Sequence, residues 1–279
     1  MNNQKIISNR RHTKDLFNSF YKWSNEAIDK EFRTALWEHI NISEMGAIQE
    51  RLDRLDDRDA IVLEAGCGNG RILFDLKKRY RDAVGLDFSA GLLKKAMEIH
   101  NNDLNLVQSE LQSLPFRDES FDIVVCIRVI QHMLPSEQQL AINEMSRILK
   151  KNGHLILMTY NALTPLAVYK QINMSGLNKI WPWWPLRDWK WMVDDYSFPW
   201  ELEGMFRKAS MEVKALQGAV CGEPEILKFL KLSKFLEKEF KFTLRRYLKL
   251  CRKIGLYLNK KAPFKFFLGR VLIEGRKNG

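Results

Sequence analysis

The chain has 279 residues, of which 46% are hydrophobic and 28% charged, a globular composition able to bury a full core. No apolar run approaches bilayer-spanning length, and the start, Met1-Asn2-Asn3-Gln4-Lys5, lacks the apolar segment of a secretory signal. The net charge of +11 is uneven: 16 Lys/Arg and 4 Asp/Glu lie from Pro224 onward, against 29 basic and 30 acidic residues before it.

Residues 1–20 are polar and basic, with few apolar anchors. From Tyr21 to about Leu55, the spacing of Phe32, Leu36, Trp37, Ile40, Met45, Ile48 and Leu52 predicts helices. Ala60 to Leu63 reads as a short buried strand that breaks into Gly66-Cys67-Gly68-Asn69-Gly70, and Ile72 to Leu76 then takes helical spacing. Glycines at alternate positions let a ligand lie against bare backbone and permit positive φ. A strand, glycine loop and helix of this kind form a nucleotide-type site at the carboxyl end of a parallel strand. Arg71 stands where a dinucleotide fingerprint wants its last glycine, and no Gly-Lys-Ser/Thr follows, which excludes a P-loop.

Ala83-Val84-Gly85-Leu86-Asp87 is a second strand ending in an acid, placed so that Asp87 can accept both hydroxyls of a ribose. Ser89 is the expected N-cap of a helix over Ala90 to Ile99. Leu106 to Leu111 is a third strand-like run ending at Glu110, and Phe121 to Cys126 is a fourth strand. Ser136 is expected to cap a helix from Glu137 to Lys150, with Lys151-Asn152-Gly153 as its stop and His154 to Met158 as the fifth strand. Such alternation means an α/β, Rossmann-like, doubly wound and mainly parallel sheet.

The order Glu64, Gly66/Gly68/Gly70, Asp87, Glu110 and Phe121-Asp122 resembles the class I S-adenosylmethionine-dependent methyltransferases, over roughly residues 58–160. Within them it looks most like the small-molecule group that includes the quinone-biosynthesis enzymes. The resemblance implies S-adenosylmethionine as cofactor, with Gly66, Cys67 and Gly68 passing under its methionine part and Glu64 beneath the loop. Asp87 would hold the ribose and Phe88 would pack on the adenine. Glu110 would accept from the adenine amino group, the Leu111 amide would bond a ring nitrogen, and Ile127 would face the cofactor. Glu110 departs from the Asp usual in the family. The other reading for each is an ordinary strand-end acid or packing side chain.

The resemblance also implies a single domain over 1–279. Its parts are an N-terminal helical cover (1–57), a cofactor-binding core (58–160), a Trp-rich lid (161–200), and a sheet completion (201–279) holding a basic helical insertion over 224–262. Trp23, Arg33 and Trp37 either line the cover or serve as helix packing and solvated charge. The family often has His where His132 stands, which makes His132 the candidate base; the alternative is a histidine bonded to backbone at the turn. Arg128 either holds an anionic substrate group or pairs with an acid. His12, His39, His100 and His154 lie apart, and no spacing suggests a metal site.

Six of the eight tryptophans lie between Trp181 and Trp200, a lid or cap whose aromatic rings suit an apolar acceptor, a membrane interface or a small core of its own. Asp194-Asp195-Tyr196-Ser197 is placed to cap a helix over Pro199 to Ala209, and Met211 to Leu216 reads as a sixth strand. From Pro224 to about Leu258, apolar residues recur at helical intervals between lysines and arginines, and Phe266 to Glu274 alternates like a strand; the resemblance implies that this strand is antiparallel and completes the sheet. The basic helices suit an anionic bilayer, a phosphate backbone or a plain helical cover.

The four cysteines (Cys67, Cys126, Cys221 and Cys251) are scattered, as in a reducing cytosol, so a cytoplasmic location is expected. The expected function is methyl transfer to O, N or C of an apolar or lipid-linked small molecule, with peripheral membrane contact through the basic helices. Methylation of RNA (tRNA) through those helices is one alternative. A non-catalytic S-adenosylmethionine-binding module is the other.

Overall fold

The computed structural model describes residues 30–164, 197–219, 248–255, 257–259, 261 and 268–279. In chain order the elements are α1 (Lys30–Leu55), β1 (Ile61–Ala65), α2 (Arg71–Arg79), β2 (Asp82–Asp87), α3 (Ala90–Ile99), β3 (Asn105–Gln108) and β4 (Phe121–Ile127). A 3-10 turn (Ile130–His132), α4 (Pro135–Ile148), β5 (Leu149–Tyr160), α5 (Pro199–Lys208), β6 (Met211–Ala219) and β7 (Arg270–Lys277) follow. A further helix over 248–255 lies between β6 and β7. Among the described residues no helix is long and apolar enough to cross a membrane.

The strands form one sheet in the order β3-β2-β1-β4-β5-β7-β6. The pairs from β3 through β5 are parallel, whereas β7 runs antiparallel to both β5 and β6. The chain steps outward from β1 to β3 and then returns to place β4 on the other side of β1. That reversal opens a crevice at the carboxyl ends of β1 and β4, where open α/β sheets hold their ligands.

Two apolar layers fix the sheet. One face carries α1, α2 and α3, through Ile48, Leu52, Ile72, Leu73 and Ala96; the other carries α4 and α5, through Ile142, Met145, Leu202 and Phe206. Each such fully buried Leu, Ile or Phe contributes about 1.5–3 kcal/mol of transfer free energy. α1 is also tied to the sheet by polar contacts. Arg51 donates to the Gln217 side chain and lies 3.8 Å from the Glu274 carboxylate, which His154 Nδ1 meets at 2.9 Å.

Several boundaries differ from the sequence reading. The N-terminal pattern yields one long helix in α1, and the Trp23 expectation lies outside the described residues, as do the side chains of Arg33 and Trp37. Ser136 does not cap α4: Pro135 occupies its first position, so Leu134 is the cap and its amide donates to Glu137 at 3.2 Å. The expected stop at Lys151-Asn152-Gly153 lies inside β5, where Asn152 takes φ 63°. A Cβ at Gly153 would stand 2.9 Å from the Lys150 carbonyl and 3.0 Å from that of Asp122, so close backbone approach explains that glycine. β3 ends at Gln108, leaving Glu110 in the loop, and β7 runs over Arg270–Lys277, while Phe266, the expected start of that strand, lies outside the described residues. Phe198, not Ser197, precedes α5, and the Ser197 amide instead donates to the Tyr160 carbonyl. Most of the lid (165–196) and of the basic insertion lies outside the described residues.

Candidate active site

The loop after β1 is shaped by three left-handed glycines, Gly66 (φ 83°), Gly68 (φ 54°) and Gly70 (φ 78°). The Gly66 and Cys67 amides both donate to the Leu86 carbonyl, at 2.6 and 2.9 Å, which folds the loop back over β2. Each glycine answers to a different neighbour. A Cβ at Gly66 would fall 2.3 Å from a Val129 methyl, and one at Gly70 would meet Leu104, Ala96 and His100. A Cβ at Gly68 would meet nothing within 4 Å, so its bare backbone faces open space. Cys67 is buried below, and burial raises its thiol pKa, with Glu64 and Asp87 adding to the effect. The thiol therefore stays protonated and acts as packing.

Asp87 closes β2 with 6% of its surface exposed. One oxygen accepts from the Gly68 amide at 2.9 Å, and the other from the Ser89 amide at 2.8 Å. Burial raises its pKa, while the amides of Ser89, Gly68 and Phe88 oppose the shift. An ionised carboxylate has about four acceptor sites. The Gly68 and Ser89 amides take one on each oxygen and the Phe88 amide also donates, which leaves acceptor capacity for a ribose hydroxyl. Ser89 caps α3 as expected, accepting from the Leu92 amide at 3.3 Å.

Glu64 lies in β1 between Gly85 and Val125, 3% exposed. Its Oε2 is buried without a partner, and burial holds its pKa well above the usual carboxylate range, against the pull of Arg71 and the Leu73 amide. An orphaned buried acceptor beneath a glycine loop fits a cationic ligand group such as an ammonium. With the open face of Gly68 and the remaining acceptor capacity of Asp87, the residues present fit S-adenosylmethionine, whose ribose and amino-acid parts supply the matching groups.

β4 ends at Ile127, 6% exposed and packed in the α1–α3 core. Arg128 then turns the chain with φ 58°, its amide donating to Met158 at 2.8 Å. A bulky residue held at positive φ is strained, which surrounding contacts must maintain. Arg128 Nε lies 3.3 Å from Glu44 of α1, so the ion-pair alternative describes it. Arg71 reaches the other Glu44 oxygen at 3.2 Å, and Arg270 approaches at 3.9 Å. Glu44 thus joins the cover helix to the residues after β1 and β4 and to the start of β7. The sequence reading passed over it, although its spacing four residues from both Ile40 and Ile48 put an acid on the apolar stripe of α1.

His132 closes the 3-10 turn, half-buried. Its Nε2 lies 3.2 Å from the Gln131 side-chain amide, and the Thr159 hydroxyl donates to Gln131 Oε1 at 3.2 Å. Phe88 is half-buried at the end of β2, with its carbonyl accepting from Gln108 at 3.2 Å. Glu110 lies beyond β3, and Leu111 packs its side chain into the α4–α5 core. The fold thus gathers Glu64, Gly66, Cys67, Gly68, Asp87 and Phe88 around one loop, and brings Ile127 and His132 to the neighbouring end of β4.

Residues 63–157 match the family described as a methyltransferase domain. A putative methyltransferase of Encephalitozoon cuniculi is 36% identical over 118 residues, 42% of this chain and 53% of that protein. A ubiquinone biosynthesis O-methyltransferase of Rickettsia bellii is 25% identical over 220 residues, covering 76% of this chain and 87% of that one. The chain spans about half the length of the first curated relatives that it matches. Magnesium protoporphyrin IX methyltransferase from Synechocystis, solved with bound S-adenosylhomocysteine, shares the fold with a TM-score of 0.61 at 14% identity, over 96% of this chain and 100% of that one. The sheet order, the glycine loop with Asp87 behind it and the match over residues 63–157 agree in giving this stretch of the chain the core of a methyltransferase domain.

Proposed function

We propose that this chain transfers a methyl group from S-adenosylmethionine to oxygen, nitrogen or carbon of an apolar or lipid-linked small molecule. The observation that carries the reading is the open, left-handed Gly68 bonded to the buried carboxylate of Asp87 at the end of β2. When bound, the cofactor supplies an electrophilic methyl on a sulfonium with a good leaving group. The protein's share is approach geometry and, where the acceptor carries a proton, a base. The glycine loop and Asp87 orient the adenosine part, buried Glu64 receives the ammonium, and Ile127 keeps water from the reacting end. His132, at the end of the 3-10 turn after β4, is the base that takes the acceptor's proton.

The ubiquinone-biosynthesis relative, which aligns over 76% of the chain, and the tryptophan-rich stretch before α5 support an apolar acceptor. Three free cysteines among the described residues support a cytoplasmic location. The basic C-terminal fifth favours a second reading, methylation of RNA. Methyl-labelled cofactor in a crude extract, with Asp87→Ala as control, tests these readings. Label in the organic phase that vanishes in the control is the expected result. Label in RNA establishes the second reading, and cofactor binding without any transfer establishes a non-catalytic module.

A further inference from the structure

The helix over 248–255 continues at 257–258 and has two unlike faces. Leu248, Cys251 and Gly255 are buried against the body. Leu250, Ile254 and Tyr257 are exposed by 55%, 41% and 65%. At about 100° per residue, these three fall within roughly 60° of the helix circumference, a continuous apolar stripe. Lys249 and Lys253, both exposed, occupy the adjoining sector, and Lys261 Nζ sits 3.6 Å above the Tyr257 ring. From Phe240 to Ile273 the sequence holds 10 Lys/Arg and no acid.

The stripe is held in a fixed relation to the site. The Asn259 carbonyl, at the end of this helix, accepts from the Gly218 amide of β6 at 3.0 Å. β6 runs parallel to β5, because both are antiparallel to β7, so Gly218 lies at the same sheet edge as the carboxyl ends of β1 and β4. We propose that this helix face docks on an anionic lipid surface, seating Leu250, Ile254 and Tyr257 in the headgroup–acyl boundary with the lysines on lipid phosphates. A bilayer interface takes an apolar stripe and its flanking charges together. A nucleic acid backbone takes only the charges and leaves the stripe in water. Docking brings the carboxyl edge of the sheet, where the cofactor crevice opens, towards the bilayer.

Flotation of the full chain with phosphatidylcholine vesicles, with and without phosphatidylserine, tests this inference without any methyl acceptor. It can therefore fail independently of the proposed activity. The expected result is binding to phosphatidylserine vesicles alone, weakening as salt screens the lysines. Lys249→Gln and Lys253→Gln each weaken binding roughly fivefold. Leu250→Ser with Ile254→Ser abolishes binding while the melting temperature holds, because both side chains are exposed; Tyr257→Ser provides an independent check. Equal binding to neutral vesicles, no binding to anionic ones, or serine variants that bind like the parent would overturn the proposal. Retention on RNA that depends on the lysines but not on the stripe would assign the face to nucleic acid instead.

Discussion

Alanine at Gly66 and at Gly68 should fail in two different ways. Both positions have positive φ, and an L-residue there costs about 1–2 kcal/mol. At Gly66 the new Cβ would also stand 2.3 and 2.9 Å from the two Val129 methyls, and overpacking of that kind adds about 1–3 kcal/mol. Gly66→Ala is therefore expected to lose roughly 2–5 kcal/mol of stability, and Gly68→Ala about 1–2, since nothing lies within 4 Å of its Cβ. Urea unfolding of the ligand-free protein measures both losses, and calorimetric titration with S-adenosylhomocysteine measures binding. Gly68→Ala should keep most of its stability yet bind the cofactor product at least about tenfold more weakly, because the methyl enters the open face. Adding Val129→Ala to Gly66→Ala should recover part of the lost stability by removing the overlap. Equal losses at the two glycines, or no recovery on shaving Val129, would refute the steric reasoning. Unchanged affinity in Gly68→Ala would show that the loop does not face the cofactor.

Asp87→Asn should weaken S-adenosylhomocysteine binding by about ten- to a hundredfold, the scale of hydrogen bonds to a charged group, measured by the same titration. Affinity of the parent protein should fall as pH drops through the raised Asp87 pKa, because protonation removes acceptor sites. Glu64 carries a pKa raised by burial, so above the unfolded value the folded state keeps a proton that the unfolded chain releases. Ligand-free stability should accordingly decline with rising pH by up to about 1.4 kcal/mol per unit in that window. Glu64→Gln should flatten the slope and be the more stable form at neutral pH; identical slopes in urea unfolding would contradict the assignment. Glu44→Gln leaves Arg71, Arg128 and Arg270 without their shared carboxylate and should cost about 3–5 kcal/mol, with earlier proteolysis between α1 and β1 as a second readout.

Where the deciding interactions are local, the chain could be read directly. Short apolar runs placed β1, β2 and β4, Ser89 announced its helix three residues ahead of the amide it caps, and Asp87 stood at the end of a strand beside a glycine loop. These signals span a handful of residues, and backbone periodicity and capping chemistry settle them. Local spacing misled at Ser136 and at Lys151-Asn152-Gly153, where the proline at 135 and the close carbonyls of Lys150 and Asp122 prevail. Tertiary structure alone decided the rest. Glu44 meets arginines at positions 71, 128 and 270, Gly66 owes its lack of a side chain to Val129, and Arg51 finds Gln217 across the sheet. No pattern along the chain encodes those distances, because burial makes the charges seek partners wherever the fold brings them. The same holds for the stripe on the helix over 248–255: helical periodicity announces an amphipathic segment, but packing determines that Leu248 and Cys251 face inward while Leu250 and Ile254 face solvent.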